Sequence, residues 1–163
     1  MRARDLAQDL PTVGQDDSAL EAARLIAADR LPGIAVVDPD GRPIAVLPAS
    51  QVLRFVVPVY IQDDPSLARV LDEASADRLC TEGLQGKRVR DLLPATKHRV
   101  ELARVDGDTT VVECAAEMAR LRSPLLAVVD DGQLRGLLTA SHLLEVLLPD
   151  SPDSAEGHAA STK

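Results

Sequence analysis

Ala35-Val36-Val37-Asp38 and Ala127-Val128-Val129-Asp130 are the same four residues, 92 positions apart. Working outward at that offset, Val13 meets Val105, Asp16 meets Asp108, and Glu21 meets Glu113. Ala23 meets Ala115, Ala27 meets Ala119, and Arg30-Leu31-Pro32 meets Arg122-Ser123-Pro124. One residue is then dropped in a turn, after which Gly41 meets Gly132, Leu47 meets Leu138, and Ala49-Ser50 meets Ala140-Ser141. Leu53 meets Leu144 and Pro58 meets Pro149, and upstream Arg4-Asp5-Leu6 echoes Arg90-Asp91-Leu92. Agreement of this density marks one supersecondary unit written twice.

Each copy carries the same local signals. Ser18-Ala19-Leu20-Glu21 and Thr110-Val111-Val112-Glu113 have the capping-box pattern that opens a helix. The spacing predicts an apolar face of Ala19, Ala22, Ala23, Ile26 and Ala27 in copy one. In copy two the predicted face is Val111, Val112, Ala115, Met118 and Ala119. Pro32 and Pro124 stop these helices. The continuous apolar runs 34–37 and 125–129 suit strands buried on both faces. Asp40-Gly41 and Asp131-Gly132 signal tight turns, followed by strands at 44–47 and 134–138 and by helices over 49–57 and 140–148. A short strand precedes each copy near Thr12-Val13 and Arg104-Val105. Between the copies, Asp64-Pro65 predicts a helix start, with a stripe of Leu67, Val70, Leu71 and Ala74 and an end at Gly83 and Gly86. The expected organisation is repeat 1 over 1–58, a helical linker over 59–87, repeat 2 over 88–149, and a polar, disordered tail over 150–163.

Composition narrows the function. The formal charge is −8, and the chain has one Tyr, one Phe and no Trp. It offers neither a basic groove nor a stacking platform, so nucleic-acid binding is not expected. No stretch has the length and apolarity of a membrane helix, and the N-terminus lacks a signal-peptide core. Two cysteines, Cys80 and Cys114, make no disulfide framework. The expected setting is cytoplasmic and reducing, with Cys114 a buried thiol on a helix. His98, His142 and His158 lack metal-ligand spacing with each other or with the cysteines. No nucleophile elbow or phosphate loop is present, so catalysis is not expected.

The capped helix, the Pro before a strand ending in Val-Val-Asp and the Asp-Gly turn, twice in order, with a Gly-x-x-Thr entry to the last helix in copy two, resemble a tandem pair of CBS domains. The likeness covers about 4–57 and 90–148. It implies an α+β fold of two βαββα repeats packed about a pseudo-twofold axis, pairing of modules into homodimers, and regulation of a partner protein. It also implies a ligand in a cleft between the repeats: ATP, ADP, AMP or S-adenosylmethionine. The family's ribose motif is Gly, two apolar residues, Thr or Ser, two variable residues, then Asp. Copy two keeps Gly136 and Thr139 and has His142 at the Asp position; copy one has Ala45, Pro48 and Gln51. A carboxylate accepts hydrogen bonds from both ribose hydroxyls, whereas a neutral His accepts one and a Gln amide carries no charge. Pro48 offers neither hydroxyl nor N–H. The resemblance adds Val105, Arg122 and Ser123 to the copy-two site, with Arg30 as the copy-one counterpart. The expectation is an altered anionic-ligand site in repeat 2 and a degenerate one in repeat 1. A ligand-free dimerisation or interaction module is the alternative. Without a ligand, Thr139 reads as an N-cap, His142 as a surface residue, and Arg30 and Arg122 as cations at helix C-termini.

Overall fold

The computed structural model describes residues 1–150; the expectation of a disordered tail falls almost wholly outside them. The elements are α1 (Ala3–Leu6), β1 (Thr12–Gly14), α2 (Ala19–Ala28), β2 (Gly33–Val37), β3 (Pro43–Pro48), α3 (Ala49–Val56), α4 (Val59–Asp63), a 3₁₀ segment (Pro65–Val70), α5 (Glu73–Leu84), α6 (Val89–Leu92), a 3₁₀ turn (Thr96–His98), β4 (Ala103–Asp106), α7 (Val111–Leu121), β5 (Leu125–Asp130), β6 (Gln133–Thr139) and α8 (Ala140–Leu147). Two three-stranded sheets form, ordered β1-β2-β3 and β4-β5-β6. In each the first pair is parallel and the second antiparallel. The fold is the expected α+β pair of repeats.

The sheets share a core of Ala35, Val46, Leu102, Leu125, Ala127 and Leu137. Helices cover the outer faces, with Ile34, Val36 and Leu47 inside repeat 1 and Leu126, Val128 and Leu138 inside repeat 2. Burial on both faces explains why these strands read as unbroken apolar runs rather than alternating ones. The face of α2 is largely the expected one, with Ala19, Ala22 and Ile26 buried, while that of α7 is rotated toward Cys114. In α7 Cys114 and Met118 are buried and Val112 is exposed; in α2 Ala27 is exposed. Thr110 and Glu113 make the full reciprocal cap. Glu113 N–H donates to Thr110 Oγ1, and Glu113 Oε2 accepts from Thr110 N–H at 2.9 Å. The Thr110 hydroxyl also donates to Glu113 Oε2 at 2.6 Å, and this bond, with the one from Thr110 N–H, holds the Glu113 carboxyl below its ordinary pKa.

The dropped residue has a plain cause. Repeat 2 turns on Asp131 (φ 51°) and Gly132 (φ 77°), the two left-handed positions of a two-residue type I′ hairpin. Pro39 cannot take positive φ. Repeat 1 therefore uses Pro39, Asp40 and Gly41, with Gly41 left-handed at φ 82°. Helices α2 and α7 also end by a backbone device rather than at the prolines. Arg30 and Arg122 both adopt φ 51°. Leu31 N–H bonds Ile26 O at 2.9 Å, and Ser123 N–H bonds Met118 O at 3.2 Å. These are Schellman closures with Arg where Gly is commoner.

The Arg-Asp-Leu echo marks an exchange of elements. Helix α1 precedes repeat 1 but packs in repeat 2: Ala3 and Leu6 join its core, and Ala3 N–H donates to Thr109 O at 2.9 Å. Helix α6 precedes repeat 2 but packs in repeat 1: Val89 and Leu92 join that core, and Val89 N–H donates to Asp17 O at 2.9 Å. Each short helix is capped by its own Asp, Asp5 on Arg2 N–H and Asp91 on Arg88 N–H, both at 2.8 Å. Each basic partner crosses to the other repeat, Arg4 to Asp108 and Arg90 to Asp16. Neither repeat's core closes without a piece of chain from beyond its own boundary.

The linker departs from expectation. Asp64 does cap, through Ser66 N–H, but the helix stops at Val70 and restarts after Asp72. That residue is a second N-cap, accepting from Ser75 N–H at 2.7 Å. Leu67 and Val70 are exposed, so the stripe at 67, 70, 71 and 74 is not a packing face. The inner face of α5 is instead Ala76, Leu79, Cys80, Gly83 and Leu84, a helical spacing, and it lies on α3 and α2. Gly83 lies inside α5, while Gly86 (φ 73°) follows its end. No helix among the described residues is long and apolar enough to cross a membrane.

Candidate functional site

The sequence-predicted residues of repeat 2 divide into two places. Thr139 and Ser123 stand at one end of β5, where Leu125 pairs with Thr139. Val105 and Gly136 lie in another row, both level with Val128, about 10 Å along the strand. Most of these groups are already engaged. Ser123 Oγ donates to Leu125 O at 2.5 Å and accepts from Ala103 N–H at 3.3 Å, tying β4 to β5. Thr139 Oγ1 accepts from His142 N–H at 3.2 Å as the α8 cap and lies 3.1 Å from Ser141 Oγ. His142 Nδ1 faces Glu145 at 3.5 Å. Val105 is buried in the core. Arg122 is exposed at its helix end, as is Arg30.

Gly136 has a structural partner. Gln8 exchanges both backbone hydrogen bonds with Leu137, each 2.9 Å. A Cβ on Gly136 would stand 2.7 Å from Ala7 Cβ and 3.2 Å from Gln8 O. The glycine therefore admits the chain's own N-terminal segment.

In repeat 1, Gln51 Nε2 donates to Leu92 O at 2.9 Å. Its amide pins the exchanged helix α6 to α3. Pro48 stands at the N-cap of α3 and makes no side-chain cap bond.

Open space lies elsewhere. A cleft of about 320 Å³ runs between Ile44 and Ala45 of β3 and the approach to β4, where Thr96, Arg99, Glu101 and Arg104 line it. A second, of about 570 Å³, lies along β4 and α7, bounded by Arg104, Val105, Asp106, Thr109 and Glu113. Arg104 lines both. Together they fall in the size range of small-molecule sites, with two guanidinium groups for an anion and carboxylates and hydroxyls for polar groups. Sequence reasoning took Val105 from this region and missed Thr96, Arg99 and Arg104. Thr96 and Arg99 sit in a connection that has no copy in repeat 1, and Arg104 of β4 is matched by Thr12, so the repeat comparison carried no signal for them. No group of three or more His, Cys, Asp or Glu among the described residues is placed to hold a metal ion.

The family model described as CBS domain matches residues 3–58 and again 89–149. The chain belongs to the CBS domain family. This tandem CBS protein is 53% identical to a CBS domain-containing protein of unknown function from Kribbella flavida. The match covers 90% of this chain and 98% of that one, with a TM-score of 0.77. The CBS domain of a CBS domain-containing membrane protein from Sphaerobacter thermophilus shares the fold at 24% identity and TM-score 0.65, covering 92% and 90% of the two chains. CBSX2, solved in complex with AMP, shares it at 20% identity and TM-score 0.61, covering 90% and 96%. No curated protein matches significantly.

Proposed function

We propose that this tandem CBS protein is a regulatory module that binds an adenosine-type nucleotide in the cleft at Arg104 and signals its occupancy to a partner protein. One observation carries the reading: an acidic chain of formal charge −8 sets Arg99 and Arg104 on one wall of an open cleft between its repeats. A guanidinium binds phosphate with charge-assisted, bidentate geometry. Asp106 and Thr109 in the adjoining cleft supply the carboxylate and hydroxyl that suit a ribose, which His142 at the family's Asp position does not. The AMP complex of CBSX2 makes AMP the first ligand to test. The site assigned from the sequence motif, around Gly136, Thr139 and His142, is the competing location. Its Gly is covered by Ala7, and its Thr hydroxyl already caps α8.

Calorimetric titration of the full chain with AMP, ADP, ATP and S-adenosylmethionine tests the proposal. Binding is expected for at least one of them. Arg104→Ala should weaken it about tenfold or more, the effect of losing one charge-assisted contact of roughly 1.4 kcal/mol, and Thr139→Ala should leave it unchanged. Loss of binding in Thr139→Ala alone would return the ligand to the repeat-2 motif. Silence at millimolar ligand would leave the interaction-module reading.

The homodimer implied by the family has its own support. Leu53 and Leu144, matched between the repeats, are 59% and 54% exposed, with Val59, Tyr60 and Leu148 also exposed. Apolar groups at pseudo-symmetric positions suit a self-complementary interface. Light scattering should give twice the chain mass for the native protein and a shift toward single-chain mass for Leu144→Lys. A native monomer at micromolar concentration would refute the dimer.

A further inference from the structure

The pseudo-symmetry breaks where the N-terminal segment meets β6. Of three isolated backbone bridges among the described residues, two are mates: Arg2 with Thr110, and Arg88 with Ser18. The third, Gln8 with Leu137, has no mate. Counted from the exchanged helices, Ala7-Gln8 corresponds to Leu93-Pro94; counted within the strands, Gly136-Leu137 corresponds to Ala45-Val46. The mate would therefore join residue 94 to Val46, and three residues forbid it. Pro94 has no N–H to donate. Ala45 carries the Cβ that Gly136 lacks. Leu93 is buried in the repeat-1 core where Ala7 packs beside the repeat-2 core, so it brings a larger side chain to the same place.

The downstream chain shows the consequence. The repeat offset grows from 86 at the exchanged helices to 92 at the strands, so the second connection is six residues longer. It swings out through the Thr96–His98 turn, and Arg99 Nε donates to Pro94 O at 2.9 Å. The space left against Ile44 and Ala45 is the 320 Å³ cleft. In the other half the shorter connection lies on the edge of β6 and pairs with it.

The geometry points to a built-in plug: residues 7–10, bridged to the edge of β6 at Leu137, close the cleft against Gly136, while Leu93, Pro94 and Ala45 hold its repeat-1 counterpart open. The cleft against β3 is thus accessible, and its mate against β6 stays latent behind the chain's own N-terminus. The contact is a two-state element, because a single bridge and the packing of Ala7 and Leu10 hold it, and displacing the N-terminal segment by ligand, partner or substitution uncovers Gly136. The strand plug itself stands on the backbone pairing alone. That the cleft behind it would take a nucleotide rests on the function proposed above.

Amide hydrogen exchange without ligand tests the plug on the full chain. Gln8→Pro, which writes the repeat-1 residue into repeat 2, should speed exchange at the Leu137 amide by roughly tenfold or more, the behaviour of a locally opened bridge. The reverse exchange, Leu93→Ala and Pro94→Gln with Ala45→Gly, should slow the Val46 amide by a similar factor. Should Gln8→Pro fail to fold, the second variant decides alone. Unchanged exchange at Leu137 in a folded Gln8→Pro protein, or at Val46 in the reverse variant, overturns the plug. AMP titration adds a separate arm. One site in the native chain and two in Gln8→Pro are expected. Altered exchange with no AMP binding in either protein upholds the plug and overturns the nucleotide reading.

Discussion

Removal of residues 1–6 should unfold repeat 2 before repeat 1, although the deleted residues precede repeat 1 in the chain. Ala3 is fully buried and Leu6 nearly so, both against the Cys114 and Met118 side of repeat 2. Deleting a buried Leu side chain alone costs about 2–5 kcal/mol. The truncation also strands Thr109 O and Gly107 O, which accept from Ala3 and Arg4 N–H at 2.9 and 3.0 Å. Set against a usual domain stability of about 5–15 kcal/mol, the loss is a large fraction. Cys114 is the reporter. It is fully buried in that core, and burial pushes its thiol pKa up, so it should resist alkylation in the native chain. In the truncated chain it should react at a rate approaching that of Cys80. Continued protection of Cys114, with an unchanged denaturation midpoint, would contradict the exchange of helices between repeats.

The second large effect is expected at Gly83. A Cβ there would stand 2.2 Å from Phe55 O and 3.4 Å from Val56 O, both rigid backbone atoms of α3. Alanine is the better helix former by about 1 kcal/mol, so propensity alone predicts that Gly83→Ala stabilises α5. Overpacking of a rigid contact costs about 1–3 kcal/mol. Because a backbone oxygen cannot rotate aside, the upper end applies, and a net loss of about 1–2 kcal/mol should follow. For a chain of this size that lowers Tm by roughly 2–8 °C. The contact also seats Lys87, whose Nζ donates to Gly83 O at 2.6 Å and stands 5.8 Å from the centre of the Phe55 ring. A raised Tm would show that α5 does not pack on α3 as described.

These two tests mark where the sequence was legible and where it was not. The repeat revealed the strand order and the Asp-Gly turns, because they rest on local chemistry that both copies share. It revealed the caps too, though Glu21 bonds Arg24 and leaves only the Thr110 box complete. The Arg-Asp-Leu echo was visible, but its meaning was not: four-residue helices bury too little apolar surface for periodicity to say which core they join. The linker misled because Asp64-Pro65 is a good helix start in a segment with a second start, Asp72, eight residues on. Gly136 misled for a different reason. A glycine marks close approach of something, and sequence does not say whether that is a ligand or the chain itself. Here the approaching group is Ala7. Gln51 likewise read as a damaged ribose contact, whereas its amide holds Leu92 O.

The proposed function turns on the place where the two halves differ rather than where they agree. Thr96, Arg99 and Arg104 belong to the longer connection and the strand after it, and they give one cleft a basic wall. A crystal structure of the native chain grown with AMP tests this most directly. One nucleotide per chain is expected between Ile44-Ala45 and residues 96–104, with its phosphate on Arg99 and Arg104 and with Gln8 still paired to Leu137. A nucleotide at Thr139 and His142, with residues 7–10 lifted from β6, would contradict it.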